Sequence, residues 1–135
     1  MSDFNKQVIE EFRANEGNVG GFFADKQLLL LHTTGAKSGL PRLNPLVTFA
    51  DEDRYIIVAS KGGAPTHPDW YYNLVAHPNV TVEVGTETFA AQATITSEPE
   101  RSDLYAKAAE RYDFFIEYEK KAGRVIPVIT LSRQS

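Results

Sequence analysis

The run Val80-Thr81-Val82-Glu83-Val84-Gly85-Thr86-Glu87 decides the fold class. Valine alternates with polar residues over five positions, the period of a strand with one buried face. Gly85-Thr86 joins it to a second extended stretch, Glu87–Ile95, and the pair predicts an antiparallel hairpin. Upstream lie three more strand-like runs: Gln27–Thr33, Leu43–Ala50 and Arg54–Ser60. The polar Asp51-Glu52-Asp53 turn predicts that the last two pair as a hairpin. Downstream, Val125–Leu131 is apolar on both faces and reads as a buried strand; Pro127, without an N–H, predicts an edge or a bulge there. Six strands in hairpins, with few and short helices, predict a mainly β protein, a small barrel or a sandwich. There is no βαβ alternation, which excludes a Rossmann nucleotide site.

Three segments break the strand pattern. Ser2–Glu16 is an amphipathic helix, with Phe4, Val8 and Phe12 at i, i+4 and i+8 and Ile9 beside them, ended by Gly17, Gly20 and Gly21. The mixed charge of its polar face favours packing on the domain; weak peripheral contact with a membrane surface is the alternative. Residues 1–20 are therefore assigned to this helix and 21–135 to the β domain. Pro68–Val75 is a short helix closed by His77-Pro78-Asn79. A longer helix begins at Ser97, where Ser97-x-x-Glu100 is a capping-box pattern, with a break near Tyr112-Asp113 and Gly123 as C′ glycine. The pairs Asp103–Lys107 and Glu117–Lys121 support it at i, i+4.

The chain of 135 residues has the length of one domain. It has no cysteine, which excludes thiol nucleophiles, cysteine-ligated zinc, iron–sulfur clusters and disulfides, and fits a reducing cytoplasm. Fourteen Lys and Arg against eighteen Asp and Glu give −4, which argues against nucleic acid as a partner. The longest apolar run, Leu28–Leu31, is too short to span a membrane, and the N-terminus lacks a signal-peptide pattern. The oligomeric state is not specified by any pattern.

Against that acidic background two cationic loops stand out. Thr33-Thr34-Gly35-Ala36-Lys37-Ser38-Gly39-Leu40-Pro41-Arg42 joins two predicted strands and carries glycines, hydroxyls and two cations. It is not a Walker loop, because Lys37-Ser38 precedes Gly39 and Pro41 leads into a strand. Ser60-Lys61-Gly62-Gly63-Ala64 ends another strand with the same ingredients. If Asp51–Asp53 turns a hairpin, Arg42 and Ser60-Lys61 fall at one end of the sheet, where they suit an anionic small ligand such as a phosphorylated cofactor. The competing reading is two ordinary solvated loops. Aromatics cluster in Trp70-Tyr71-Tyr72 and in Tyr112, Phe114, Phe115 and Tyr118; Trp70 and Tyr118 have polar tips that suit a pocket wall. Metal and hydrolytic sites fit poorly. His32, His67 and His77 are badly spaced as ligands, and no nucleophile elbow or carboxylate pair occurs. Such a site suggests that a cofactor carries the chemistry.

The run from Leu31 to Leu46 resembles the TTGxKSGxxRxxPL signature of the deazaflavin-dependent nitroreductase family, small actinobacterial proteins. So does Val58-Ala59-Ser60-Lys61-Gly62-Gly63-Ala64, followed by His67-Pro68-Asp69-Trp70-Tyr71-Tyr72-Asn73-Leu74, and the resemblance extends over residues 25–132. It implies a split β-barrel and coenzyme F-420, an 8-hydroxy-5-deazaflavin with a phosphodiester and an oligoglutamate tail. By this resemblance Lys37, Ser38 and Arg42 hold the phosphate and tail, and Ser60, Lys61, Gly62 and Gly63 hold the phosphate and ribityl portion. Pro45, Val58 and Ala59 line the ring, and Trp70 closes the pocket. Val47, Tyr112, Phe115 and Tyr118 fall on the substrate side, with Tyr118 and Ser60 as candidate proton donors. Phe115 and Val47 stand where nitroimidazole-activating members carry aromatics, tyrosine at the first, which argues against that activity and leaves cofactor binding intact. The implied reaction is hydride transfer from C5 of the reduced deazaflavin to a quinone, enone or nitroaromatic. An FMN-dependent split-barrel oxidoreductase and a non-catalytic deazaflavin carrier are the alternatives. The cytoplasm, or the inner-membrane surface, is the implied location.

Overall fold

A computed structural model describes residues 3–134. Helix α1 (Asp3–Ala14) and a 3-10 turn at Gly21–Phe23 precede strands β1 (Leu28–Thr34), β2 (Pro41–Val47), β3 (Phe49–Asp51) and β4 (Arg54–Val58). A second 3-10 turn (Lys61–Gly63) and helix α2 (Asp69–Ala76) lead to β5 (Asn79–Val84) and β6 (Glu87–Ile95). Helices α3 (Glu100–Arg111) and α4 (Phe114–Ala122) precede the last strand, β7 (Val128–Arg133). The strands form one antiparallel sheet in the order β2-β1-β5-β6-β7-β4-β3, and β2 and β3, joined only through Thr48, are its two ends.

The alternating run behaves as its period requires. Val82 pairs with Leu31 on one side and Phe89 on the other, and all three enter the main core with Leu29, Ile57, Leu74, Ile129 and Leu131. Each such side chain contributes roughly 1.5–3 kcal/mol by leaving water. A second cluster packs Leu104, Tyr105, Ala108 and Phe115 of α3 and α4 on Ile56 and Val128. The Tyr105 hydroxyl donates to Phe115 O at 2.6 Å, and burial pushes its pKa up to about 12.

The helix α1 packs on the domain. Val8, Ile9 and Phe12 are buried against Leu28 and Leu30. Arg13 grips Glu83 with both ends of its fork (3.1 and 2.7 Å), and His32 Nε2 lies 2.6 Å from the same carboxylate.

Several local expectations need correction. Leu43–Ala50 is not one strand of a hairpin with Arg54–Ser60; it splits at Thr48, and β2 pairs with β1 while β3 pairs with β4. Thr48 makes the corner. Its N–H donates to Gln27 O (2.9 Å), its hydroxyl to Ile56 O (2.7 Å), and its carbonyl accepts from the Tyr112 hydroxyl (3.0 Å). The sheet has seven strands rather than six among the described residues. Pro127 marks neither an edge nor a bulge: β7 lies between β6 and β4 and starts one residue later, so no ladder N–H is missing. The Ser97 capping box does not form. Glu98 accepts the Ser102 N–H at 2.9 Å instead, while Glu100 pairs with Arg54 (3.1 Å). The supporting ion pairs differ as well, since Lys107 reaches Asp51 (3.0 Å) and Glu117 faces Lys120 (3.9 Å). The break at Tyr112-Asp113 is present, and Gly123 ends α4 at φ 64°, the left-handed conformation that a C′ glycine adopts freely.

Candidate active site

Where β2 leaves β3 at Thr48, the barrel opens, and the split holds a cavity of about 240 Å³. Pro45, Leu46 and Val47 form one wall, and Val58, Ser60, Lys61 and Gly62 at the end of β4 form the facing one. Trp70 closes the base, and Phe22, Phe23, Phe114, Phe115 and Tyr118 form the rest of the lining. One side is thus apolar and partly aromatic, and the other carries a cation and backbone donors.

The turn at residues 60–63 has the conformation that makes backbone N–H groups converge. Ser60 is right-handed helical (φ −80°, ψ −31°), whereas Lys61, Gly62 and Gly63 all have positive φ (50°, 64° and 84°). The Ser60–Lys61 step, right-handed and then positive in φ, is the kind that forms an anion-binding concavity. The turn also lies hard against α4: a Cβ on Gly63 would stand 3.1 Å from Tyr118 Cα and 3.2 Å from Lys121 Cδ. Lys61 Nζ is exposed and reaches Thr66 Oγ1 only at 3.4 Å. The Ser60 hydroxyl, in a buried residue, takes no protein partner among the described residues.

The sequence-derived site residues divide into three groups. Pro45, Val47, Val58, Ser60, Lys61, Gly62, Trp70, Phe115 and Tyr118 come together in the cleft. Ala59 and Gly63 are buried behind it. Lys37, Ser38, Arg42 and Tyr112 do not line it. Lys37 and Ser38 lie on the exposed β1–β2 hairpin loop, where the Ser38 hydroxyl accepts the Leu40 N–H (3.1 Å). Arg42 lines a separate groove with Asn5, His32 and Asn44. It stands three residues from Pro45 along β2, about 10 Å of extended chain. The expected meeting of both cationic loops at one sheet end is therefore replaced by a cleft with Arg42 further along the same strand. Tyr112 spends its hydroxyl on the Thr48 corner and also accepts the Gln27 N–H (3.2 Å).

Several contributors were not anticipated from sequence. Phe22 and Phe23 reach the cleft from the turn after α1, and Lys26 Nζ sits 4.3 Å from the Phe22 ring centre. Buried Asn73 on α2 accepts the Ala36 N–H (2.9 Å) and donates to Thr33 Oγ1 (3.1 Å), so α2 holds the Lys37 loop. Arg124, just after α4, grips the carbonyls of the 59–66 segment and donates to His67 Nδ1 (3.0 Å). Burial, then Arg124, holds the His67 imidazole below its usual range. Arg124 has no acidic residue three or four positions away, but neither has Lys26, so sequence spacing does not single it out.

The family model described as F420H(2)-dependent quinone reductase matches residues 4–133. The chain belongs to that family. An F420H(2)-dependent quinone reductase of Mycobacterium tuberculosis is 41% identical over 127 residues, covering 91% of this chain and 85% of the relative. Among solved structures, an F420-H2-dependent reductase, FDR-A, has a TM-score of 0.72 at 40% identity, covering 78% of this chain and 93% of its own. A chain solved as a domain-swapped dimer has a TM-score of 0.74 at 35% identity, covering 96% and 98%. The fold is the split β-barrel of these F420H(2)-dependent reductases, and the cleft lies at the split. Among the described residues no helix is long and apolar enough to cross a membrane.

Proposed function

We propose that this protein is an oxidoreductase that passes a hydride from reduced coenzyme F-420 to a quinone in the cleft between β2 and the end of β4. The observation that carries the reading is the cleft's two-sided chemistry. Apolar lining from Pro45, Val58 and Trp70 adjoins a turn of backbone donors with a cation at Lys61. That combination fits an aromatic ring tethered to a phosphate. The cavity is smaller than the roughly 300–1,000 Å³ usual for a whole ligand, so it suits the ring and leaves the tail outside. The tail would run along β2 toward Arg42, with Lys37 and Ser38 on the neighbouring hairpin loop. Of the described residues, 21–134 would act as the cofactor-binding barrel and 3–20 as its helical arm.

When bound, the reduced deazaflavin supplies a hydride from C5 of its ring. The chain's part is to hold ring and acceptor face to face and to exclude water with Phe22, Phe23, Phe114 and Phe115. Quinone reduction to the hydroquinone also needs a proton, and Ser60 and Tyr118, both lining the cleft, would hold or relay one through their hydroxyls. Val47 and Phe115, where a tyrosine would add a donor, leave the acceptor side apolar, which favours quinones over nitroaromatics. The relatives' names favour the deazaflavin over FMN. A cytoplasmic site of action is in keeping with the family. Contact with the inner-membrane surface would fall to Phe4 and Phe22, both about 60% exposed, because the apolar face of α1 is used on the barrel.

Fluorescence titration with oxidised coenzyme F-420 and with FMN, then turnover of the reduced coenzyme against quinones, enones and nitro compounds, tests this reading. Selective deazaflavin binding with fastest quinone turnover is expected. Preference for FMN would refute the cofactor, and tight binding without turnover would make the protein a carrier.

A further inference from the structure

Arg124 is half-buried, and no carboxylate among the described residues pairs with it. A guanidinium in that setting is costly unless its donors are satisfied. Here they are satisfied almost wholly by one loop. Nη2 donates to Ala59 O (3.1 Å), Ser60 O (3.1 Å) and Thr66 O (2.9 Å), Nε donates to Ala64 O (3.1 Å), and Nη1 donates to His67 Nδ1 (3.0 Å). The last bond makes Nδ1 an acceptor and leaves the imidazole proton on Nε2.

In a trans peptide the C=O and the following N–H point in opposite directions. Drawing the carbonyls of Ala59 and Ser60 onto Arg124 therefore turns the N–H groups of Ser60 and Lys61 away from it. Ser60 and Lys61 line the cleft, and their N–H groups take no protein acceptor among the described residues. The Ser60 carbonyl also accepts the Gly63 N–H at 3.0 Å, which fixes the turn from its other end.

We propose that Arg124 is a positioning residue: by clamping the carbonyl side of peptides 59–60 and 60–61, it presents the Ser60 and Lys61 N–H groups to the cofactor's phosphate. Arg124 does not itself line the cleft. Its charge acts through two aligned peptide dipoles, so an anion in the cleft meets their positive ends with an uncompensated cation behind them. This rests on the cleft being the deazaflavin site.

The test uses the full chain with oxidised coenzyme F-420 as titrant, comparing the native protein with Arg124→Lys and Arg124→Ala, and measuring thermal unfolding of each. Arg124→Lys keeps the charge but cannot hold all of these carbonyls at once. Its affinity should fall at least 10-fold after correction for the folded fraction. Arg124→Ala should fall further and should recover in part with millimolar guanidinium, but not with equal sodium. Native-like affinity in Arg124→Lys would overturn the proposal. So would an affinity loss that disappears on correction for unfolding, which marks a merely structural role. If Arg124→Ala does not fold, Arg124→Lys alone decides. Failure of the native protein to bind the coenzyme would instead refute the reading of the cleft.

Discussion

Asn73 offers a sharp test of how the helix α2 and the Lys37 loop are joined. Its amide accepts the Ala36 N–H (2.9 Å) and donates to Thr33 Oγ1 (3.1 Å), and both Asn73 and Thr33 are buried. Asn73→Ala removes two hydrogen bonds and strands a buried hydroxyl. At about 1 kcal/mol net for each bond, the loss should be about 2 kcal/mol of stability. For a chain of this length that lowers the thermal midpoint by roughly 6–10 °C. Urea unfolding followed by circular dichroism gives the free energy, and titration with oxidised coenzyme F-420 reports the loosened loop as weaker binding. Asn73→Asp is the discriminating control. Protonated, the introduced acid can still donate to Thr33 and accept from Ala36; ionised, it must bury a charge. Burial raises the folded-state pKa of that carboxyl above its unfolded value of about 4. The Asn73→Asp variant should therefore be close to native stability at about pH 4 and lose it as pH rises through the raised value. A change under about 0.5 kcal/mol for Asn73→Ala, the size of an ordinary surface substitution, would refute the reasoning.

Three further outcomes are expected. Gly63→Ala must hold a Cβ at φ 84° and 3.1 Å from Tyr118 Cα, so it should cost at least about 1 kcal/mol and weaken coenzyme binding; native-like unfolding and binding would contradict the close packing of turn and helix. Lys61→Ala should weaken coenzyme binding about 10-fold at low salt and flatten its salt dependence, because one exposed charge-assisted contact is lost. The Glu83 carboxyl is held below its ordinary 4.5, first by the Arg13 guanidinium against the cost of burial, and then by His32. Its contribution is present above pH 4.5 and is lost as pH falls through the lowered folded value, so Glu83→Gln should be less stable near neutrality and show a flatter acid limb in a pH series of urea midpoints.

What sequence reveals here depends on how local the cause is. The β5–β6 hairpin was legible because alternation and a two-residue turn both lie within one unbroken stretch of chain. The Thr48 corner was not. Leu43–Ala50 has uniform strand character, and only the partners Gln27, Ile56 and Tyr112, drawn from other elements, make Thr48 a switch point. Ser97 and Glu100 carry a proper capping pattern, yet Arg54 draws Glu100 away and Glu98 takes the free N–H, a tertiary contact overriding a local one. In the site, Ser60-Lys61-Gly62 was legible because glycine and cation sit side by side. Phe22, Phe23, Asn73 and Arg124 were not, since each acts on a segment it meets only after folding.

The distribution of charge explains how a chain of net charge −4 can hold an anionic coenzyme. Many cations on the helices and strand ends are neutralised nearby: Arg13 by Glu83, Arg54 and Lys107 by Asp51, Arg101 by Glu98, and Arg133 by Glu87. Seven cations make no ion pair among the described residues: Lys6, Arg111 and Lys121 on the helices, and Lys37, Arg42, Lys61 and Arg124. The last four belong to the β1–β2 hairpin, the turn after β4 and the clamp behind that turn. Within a Debye length of about 8 Å, a ligand responds to these unpaired charges more than to the distant total. The overall acidity opposes association with nucleic acid, while the unpaired cations favour a phosphate at the cleft. Pairing one of them, for instance by placing an acidic residue at Thr66 beside Lys61, should therefore weaken coenzyme binding in the same titration, although it changes the net charge by only one unit.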